Sequence, residues 1–211
     1  ALDKGTIRRV RPALLHWVQH SGPNTRYLED WRLSPWQNSF AKLYALGLLS
    51  ARLGDWAAAE RYAAQLEGTR APQDSLGLVH DLALEIRGLE AEQRGDWQTA
   101  LQILEGAVLH GIAPPADNGT GPFSLRAFGR FLRAEALYHL GRDQEALDWY
   151  GTFWRHTEFV FIAPVQLRMG EIYERQGNPT EAVTHYRRFL ARWQDADPRY
   201  RPLLQDVATR V

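Results

Sequence analysis

Residues 170–182, which read GEIYERQGNPTEA, decide the fold of this 211-residue chain. Gly177 follows an amphipathic stretch, where a glycine in the left-handed conformation ends a helix. Asn178 can then cap a second helix, Pro179 suits its first position, and Glu181 completes a capping pattern. The segment therefore predicts two helices joined by a tight turn.

The same arrangement occurs four times along the chain. The helix-ending glycines are Gly54, Gly95, Gly141 and Gly177. Alanines follow them five residues later, at Ala59, Ala100, Ala146 and Ala182. Small residues precede them by seven, at Gly47, Gly88, Ala134 and Gly170. We expect each hairpin to cross closely at its two small residues.

A second constant spacing indicates how the hairpins are filled. The residues 19 positions after the first small residue are Leu66, Ala107, Phe153 and Phe189. We expect these side chains to fill the layer between helices further along each hairpin. Because one hairpin cannot bury its apolar face alone, the four hairpins are expected to stack into a solenoid.

The turns carry a family resemblance. Residues 54–59, GDWAAA, and 95–100, GDWQTA, closely resemble the turn of tetratricopeptide repeats, a family of 34-residue helical hairpins. The third and fourth turns have Asp143 and Pro179 where the family has an aromatic residue. The distances between successive turn glycines are 41, 46 and 36 residues, so the connections carry insertions.

The resemblance covers about residues 36–195 and implies an all-α, right-handed α-solenoid of about four hairpins. The expected parts are an N-terminal helical extension at 1–34, repeats at 35–70, 74–110, 124–157 and 161–195, a long loop at 111–123, and a capping helix at 197–211. Residues 170–198 also resemble repeat regions attached to some bacterial serine/threonine kinases and transcriptional regulators.

Three local patterns complete the expected secondary structure. A short helix is predicted around Pro12–His20, followed by an apolar segment at Tyr27–Leu33. Phe159–Ile162 is a four-residue apolar run and the only candidate strand. Asp197 and Pro198 are expected to open the last helix.

Composition excludes several classes of protein. The chain has no cysteine, which excludes a disulfide scaffold, a zinc finger and a thiol nucleophile. Lys plus Arg and Asp plus Glu both number 25, and this balance counts against a nucleic-acid or membrane partner. No signal segment or membrane-spanning run is visible, so a cytoplasmic location is expected. The chain does not begin with Met, and we expect it to be a trimmed fragment of a longer protein.

Patterns for catalysis are weak. His16 and His20 have the spacing of two metal ligands on one helix face, but Trp17 stands where a zinc-protease motif needs Glu. A metal-dependent enzyme using these histidines therefore stays only an alternative. Residues 119–121, GTG, lack the Lys-Ser/Thr of a phosphate loop. We expect no enzymatic activity, no metal and no cofactor.

Basic residues cluster at both ends of the chain. The first cluster is Lys4, Arg8, Arg9 and Arg11, and the second is Arg187, Arg188, Arg192, Arg199 and Arg201. We interpret both as solvated helix faces, the second paired with Glu181, Asp195 and Asp197.

The family binds ligands on the concave face that the first helix of each hairpin lines, which implies a candidate peptide-binding groove. Its predicted residues are Tyr44, Leu48, Arg52, Leu82, Glu85, Ile86, Leu89, Phe128, Phe131, Glu135, Tyr138, Arg168, Glu171 and Arg175. The carboxylate clamp of the chaperone-binding members is absent, because Tyr44, Leu48 and Ile86 occupy its positions. Such an apolar surface is expected to be covered, either by a partner segment or by the chain's own loop 111–123 or N-terminus. In a third interpretation, these residues pack against neighbouring first helices and form no groove.

The sequence therefore predicts a non-enzymatic scaffold that binds an unidentified protein or peptide partner in an apolar, aromatic groove. The alternative is a regulatory or sensory domain of a larger bacterial signalling protein. Such a domain would act by intramolecular contact or by self-association.

Overall fold

The structure is a computed structural model that describes the backbone in five ranges. These are residues 3–20, 35–69, 77–107, 126–153 and 159–211. Side chains are described over the same ranges except at residues 13–20, 35–39, 126 and 159. The predicted segments Tyr27–Leu33 and 111–123 lie outside the described residues.

Every regular element in these ranges is helical, which confirms the all-α prediction. The helices are α1 Lys4–His20, α2 Pro35–Leu53, α3 Trp56–Glu67, α4 Leu78–Gln93, α5 Trp97–Glu105, α6 Arg126–His139, α7 Asp143–Tyr150, α8 Phe159–Arg175, α9 Pro179–Trp193 and α10 Arg201–Ala208. A 3-10 turn, Pro198–Tyr200, precedes α10.

The chain divides into two compact units, Ala1–Ile112 and Ala113–Val211. In the first unit α1 packs on α2, α2 packs on α3 and α4, and α4 packs on α3 and α5. In the second unit α6 packs on α7, α8 packs on α6, α7 and α9, and α10 covers α9. Each unit is therefore built from two helical hairpins and one further helix among the described residues. The right-handed sense of a solenoid stays a prediction.

The turn glycines have the predicted conformation. Their φ angles are 80° at Gly54, 78° at Gly95, 72° at Gly141 and 70° at Gly177. The N–H after each glycine donates to a carbonyl five residues earlier, at 3.0 Å from Asp55 to Ser50 and 2.9 Å from Arg142 to Leu137. These bonds satisfy carbonyls that the helix end would otherwise leave unpaired, so the glycine spacing sets where each hairpin reverses.

The small residues of the first helices leave space that large side chains of other helices fill. A Cβ built on Gly170 would lie 2.5 Å from the ring of Tyr186, and one on Gly88 would lie 2.8 Å from Leu104. On Gly47 it would collide with Ile86 of the next hairpin. The expected contact of small residue against small residue is revised, because a large side chain fills each of these spaces. The predicted filling layer is buried throughout, at Leu66, Ala107, Phe153 and Phe189.

Two predictions of local structure were wrong. Phe159–Ile162 is the first turn of α8 and not a strand. From a helix, Phe161 reaches the rings of Phe131 and Phe153, and these contacts outweigh the local β propensity of a four-residue run. The N-terminal helix starts at Lys4 and contains Pro12 in its interior, although Pro12 was expected near its start.

Candidate functional site

The first helices of the two hairpins in the second unit pack against each other, and the side that carries the predicted groove residues is here called the α6/α8 face. On α6, Phe128, Phe131, Glu135 and Tyr138 follow each other at helical spacings of three or four residues. On α8, Arg168, Glu171 and Arg175 do the same. The structure therefore brings together all seven groove residues that were predicted for this unit.

At one end of this face lies an ionic tier, defined as Glu135, Tyr138, Arg168, Glu171 and Arg175. Nε and Nη2 of Arg168 each donate to Glu135 at 3.0 Å, and Nη1 donates to Glu171 at 2.9 Å. Burial by itself lowers the pKa of Arg168, but its hydrogen bonds to the two carboxylates raise it overall. The guanidinium therefore stays charged and rigidly oriented.

Tyr138 is clamped between two arginines. The guanidinium carbons of Arg168 and Arg175 lie 4.5 Å and 4.3 Å from the centre of its ring. The Tyr138 hydroxyl donates to Glu171 at 2.9 Å, and Arg175 donates to Asp143 of α7 at 2.5 Å. Burial, together with the bond to Glu171, raises the pKa of Tyr138. These cation–π and hydrogen-bonding contacts fix the Tyr138 ring of α6 against α8.

Glu135 belongs to the interior of the unit and not to an open surface. It is 6% exposed, and Tyr150 of α7 donates to it at 2.5 Å in addition to the bonds from Arg168. Burial and the nearby charge of Glu135 raise the pKa of Tyr150, so this phenol stays a hydrogen-bond donor. The expectation that Glu135 faces a ligand is corrected, because its carboxylate joins α6, α7 and α8.

At the other end of the face lies an aromatic tier, defined as Phe128, Phe131, Phe153 and Phe161. The centre of the Phe131 ring lies 5.3 Å from that of Phe161 and 6.3 Å from that of Phe153. Phe128 lies 6.3 Å from Phe161. Phe153 is buried, whereas the other three rings are part-exposed. This tier is an apolar surface whose rings fix each other.

Sequence reasoning missed Phe161 because the residues around it were assigned to a strand. A usable signal was present, since Phe161 precedes Arg168 by seven residues and Arg175 by fourteen. That spacing places all three on one side of a helix. Tyr150 and Asp143 were missed because they lie on a second helix, outside the family's usual groove positions.

The first helices of the first unit are arranged differently. Tyr44, Leu82, Glu85, Ile86 and Leu89 are between 0% and 3% exposed. For these five residues, the prediction of a ligand-facing position is corrected, because helix packing within the unit removes them from solvent.

A buried polar pair lies within this packed interior. The Tyr44 hydroxyl donates to Glu85, linking α2 to α4. Burial and the charge of Glu85 raise the pKa of Tyr44 well above its ordinary value, while Arg52 opposes the rise. Leu48 and Arg52 are part-exposed, and they are the predicted groove residues of this unit that solvent still reaches.

Comparison with known families supports the repeat interpretation. Residues 165–196 match a family model described as tetratricopeptide repeat, which covers most of α8 and all of α9. This match confirms the family resemblance at the fourth hairpin. No curated protein matches the chain. The likeness to repeat regions of kinases and transcriptional regulators stays a prediction, as does the regulatory or self-associating role that it implies.

Within the described ranges, no group of three or more His, Cys, Asp or Glu side chains is arranged to hold a metal ion. The side chains of His16 and His20, and all of residues 119–121, lie outside those ranges. Among the described helices, none is both long and apolar enough to cross a bilayer.

Proposed function

We propose that this protein is a non-enzymatic interaction module that binds a peptide segment of a partner protein on the α6/α8 face. Tetratricopeptide repeats suggest a role in protein–protein interaction. The single observation that carries the proposal is the aromatic tier, where part-exposed rings of Phe128, Phe131 and Phe161 form an apolar surface on first helices.

The aromatic tier suits the anchor residue of a peptide. Large rings that are already held by their neighbours lose little conformational entropy on binding, and such positions dominate binding energy at interfaces. Phe131 contacts Tyr150, Phe153 and Phe161, so its ring is preorganised. A large aliphatic or aromatic side chain of a partner is the ligand group that this surface fits.

The ionic tier places polar groups near the aromatic tier. Phe131 and Tyr138 are seven residues apart on α6, or about 10 Å along the helix. About three extended peptide residues span that distance. Arg175, whose side chain is 42% exposed, is the most accessible charge of the tier. A short partner motif can therefore place an apolar anchor on one tier and a polar group beside the other.

Peptide selection on the immobilised chain tests this proposal. Peptides from a random library are enriched on the wild type, and their affinities are then measured by isothermal titration calorimetry. Phe131→Glu places a charge in the aromatic tier and is expected to weaken binding at least about 100-fold. Leu48→Glu, at a part-exposed position of the first unit, is the matched control and should retain affinity.

Circular dichroism of both variants checks that they fold. A folded Phe131→Glu variant that binds the selected peptides like the wild type would refute the proposed face. Equal losses in the two variants would likewise contradict it, because binding would then not depend on the aromatic tier.

A further inference from the structure

A basic strip lies on exposed positions of α9, of the 3-10 turn that follows it and of the start of α10. It is defined as Arg187, Arg188, Arg192, Arg199 and Arg201, and all five residues are exposed. The sequence predicted carboxylate partners for these arginines. The structure pairs Arg199 with Asp197 at 3.8 Å, but the other four have no carboxylate partner among the described residues.

The strip is one surface because aromatic packing joins its two halves. Arg188 and Arg192 are four residues apart on α9, so they are neighbours on the same helix face. The ring of Trp193 lies 4.8 Å from that of Tyr200, in the 3-10 turn that follows. Arg199 stacks over Tyr200 at 5.0 Å, and this contact keeps the second half of the strip beside the end of α9.

Several other arginines of the described residues form close ion pairs, among them Arg11, Arg142 and Arg175. Arg87 binds Glu60 and Glu67, each at 2.7 Å. The strip instead has five arginines and two aspartates between residues 187 and 201. Like charges at neighbouring helix positions repel each other, so an array of this kind gains from an external counter-charge.

We propose that the basic strip is a second docking surface, separate from the α6/α8 face, and that it binds an acidic segment of a partner protein. Arginine forks pair with carboxylates through two parallel hydrogen bonds. Charge complementarity therefore identifies the occupant as a run of Asp or Glu side chains.

The size and boundaries of the strip favour a peptide over nucleic acid. Arg187 and Arg192 are about 7.5 Å apart along the axis of α9. Glu181 stands seven residues before Arg188 on the same face of α9, and Asp195 follows the end of α9, so a carboxylate stands on each side of the basic charges along the chain. A phosphate backbone tracking the helix would meet these negative charges, whereas a short acidic segment fits between them.

Fluorescence anisotropy with the full chain tests the proposal. The probe is a fluorescein-labelled peptide of about twelve residues, alternating Glu and Ala, which reaches about 40 Å when extended. The Arg188→Glu/Arg192→Glu variant is expected to raise the Kd at least about tenfold. Arg8→Glu/Arg9→Glu makes the same charge change at two exposed arginines of α1 and should change the Kd less than about twofold.

Several outcomes would overturn the proposal. These are no binding of the acidic peptide by the wild type, equal losses in the two double variants, or tighter strip-dependent binding of a thymidine oligonucleotide or of phosphatidylserine vesicles. Phe131→Glu should leave the acidic-peptide Kd unchanged, which separates this surface from the proposed function. Loss of acidic-peptide binding in a folded Phe131→Glu variant would show that the surfaces are not separate.

Discussion

The first helices of the two units share a register but differ in what that register contains. Ile86 and Arg168 both stand two residues before the small residue of their hairpin. Ile86 is fully buried and fills the space above Gly47. Arg168 instead binds Glu135, which stands one residue after the small residue of the preceding hairpin.

This difference shows that one hairpin geometry supports two kinds of contact between neighbouring first helices. In the first unit the contact is apolar, and the polar pair Tyr44–Glu85 is enclosed within it. In the second unit the contact is an ion pair, and Tyr138 and Glu171 stay part-exposed. The second arrangement is therefore the one to which we assign the proposed peptide binding.

Ile86→Arg is the substitution for which this comparison predicts the largest loss of stability. This substitution introduces at position 86 the arginine that the second unit has at the equivalent position, Arg168. The first unit has Leu48 at the position equivalent to the arginine's partner, Glu135. An unpaired charge in the fully buried site is expected to reduce the free energy of unfolding by about 4 kcal/mol, measured by urea denaturation. The double variant Leu48→Glu/Ile86→Arg supplies a partner and should recover part of this loss. An unchanged stability in Ile86→Arg would contradict the buried, apolar character of the contact in the first unit.

Overpacking the hairpin crossing tests what the two units have in common. Ala59→Leu and Ala182→Leu enlarge side chains that are 0% and 3% exposed in the first and second unit. Each is expected to cost about 1–3 kcal/mol, because no space exists for the added atoms. Thermal and urea unfolding measure the loss. Ala57→Leu, an exposed position on the same helix as Ala59, is the control and should stay close to the wild type. Neutral effects at both buried alanines would contradict the shared packing.

The smallest expected effect is a pH dependence that arises from a histidine of the second unit. His185 is 5% exposed, its Nδ1–H donates a hydrogen bond of 2.9 Å to Oε1 of Gln166, and its ring stacks on that of Tyr173. Burial, and then the charge of Arg188, lowers the pKa of His185 below its ordinary 6.5. The unfolded chain therefore binds a proton more readily, and the contribution of His185 to stability falls as pH drops below about 6.5.

Urea unfolding between pH 7.5 and pH 5 measures this dependence. His185→Gln is expected to flatten the decline, because glutamine does not titrate. His139 of α6 also has its pKa lowered by burial, so part of the decline should persist in that variant. A decline of the same steepness in His185→Gln and in the wild type would exclude this role of His185.

The turns were predictable because their physics is local. Gly54 and Gly177 adopt the positive φ that ends a helix at little energetic cost, and this preference does not depend on distant residues. The constant spacing to buried positions such as Leu66 and Phe189 follows from the rise of two antiparallel helices. Composition, turns and periodicity were therefore sufficient for the all-α repeat.

The candidate site was only partly predictable. Helical spacing places Phe131 with Tyr138 on one side of α6 and Arg168 with Arg175 on one side of α8, since residues seven apart share a helix face. Spacing could not show whether a helix face is exposed to solvent. In the first unit, the face that carries Tyr44 and Ile86 is buried. Exposure depends on which other helices cover a face, and that depends on contacts distant in sequence.

The sequence by itself therefore determined the hairpins, their turns and the residues that share a face, because hydrogen bonding and glycine conformation act over a few residues. Tertiary structure decided which faces are core and which are surface. It turned Phe159–Ile162 into helix, enclosed Glu85 and Glu135, and left Arg188 and Arg192 without carboxylate partners in the described chain. Burial and charge pairing depend on side chains brought together from different helices, so no local pattern specifies them.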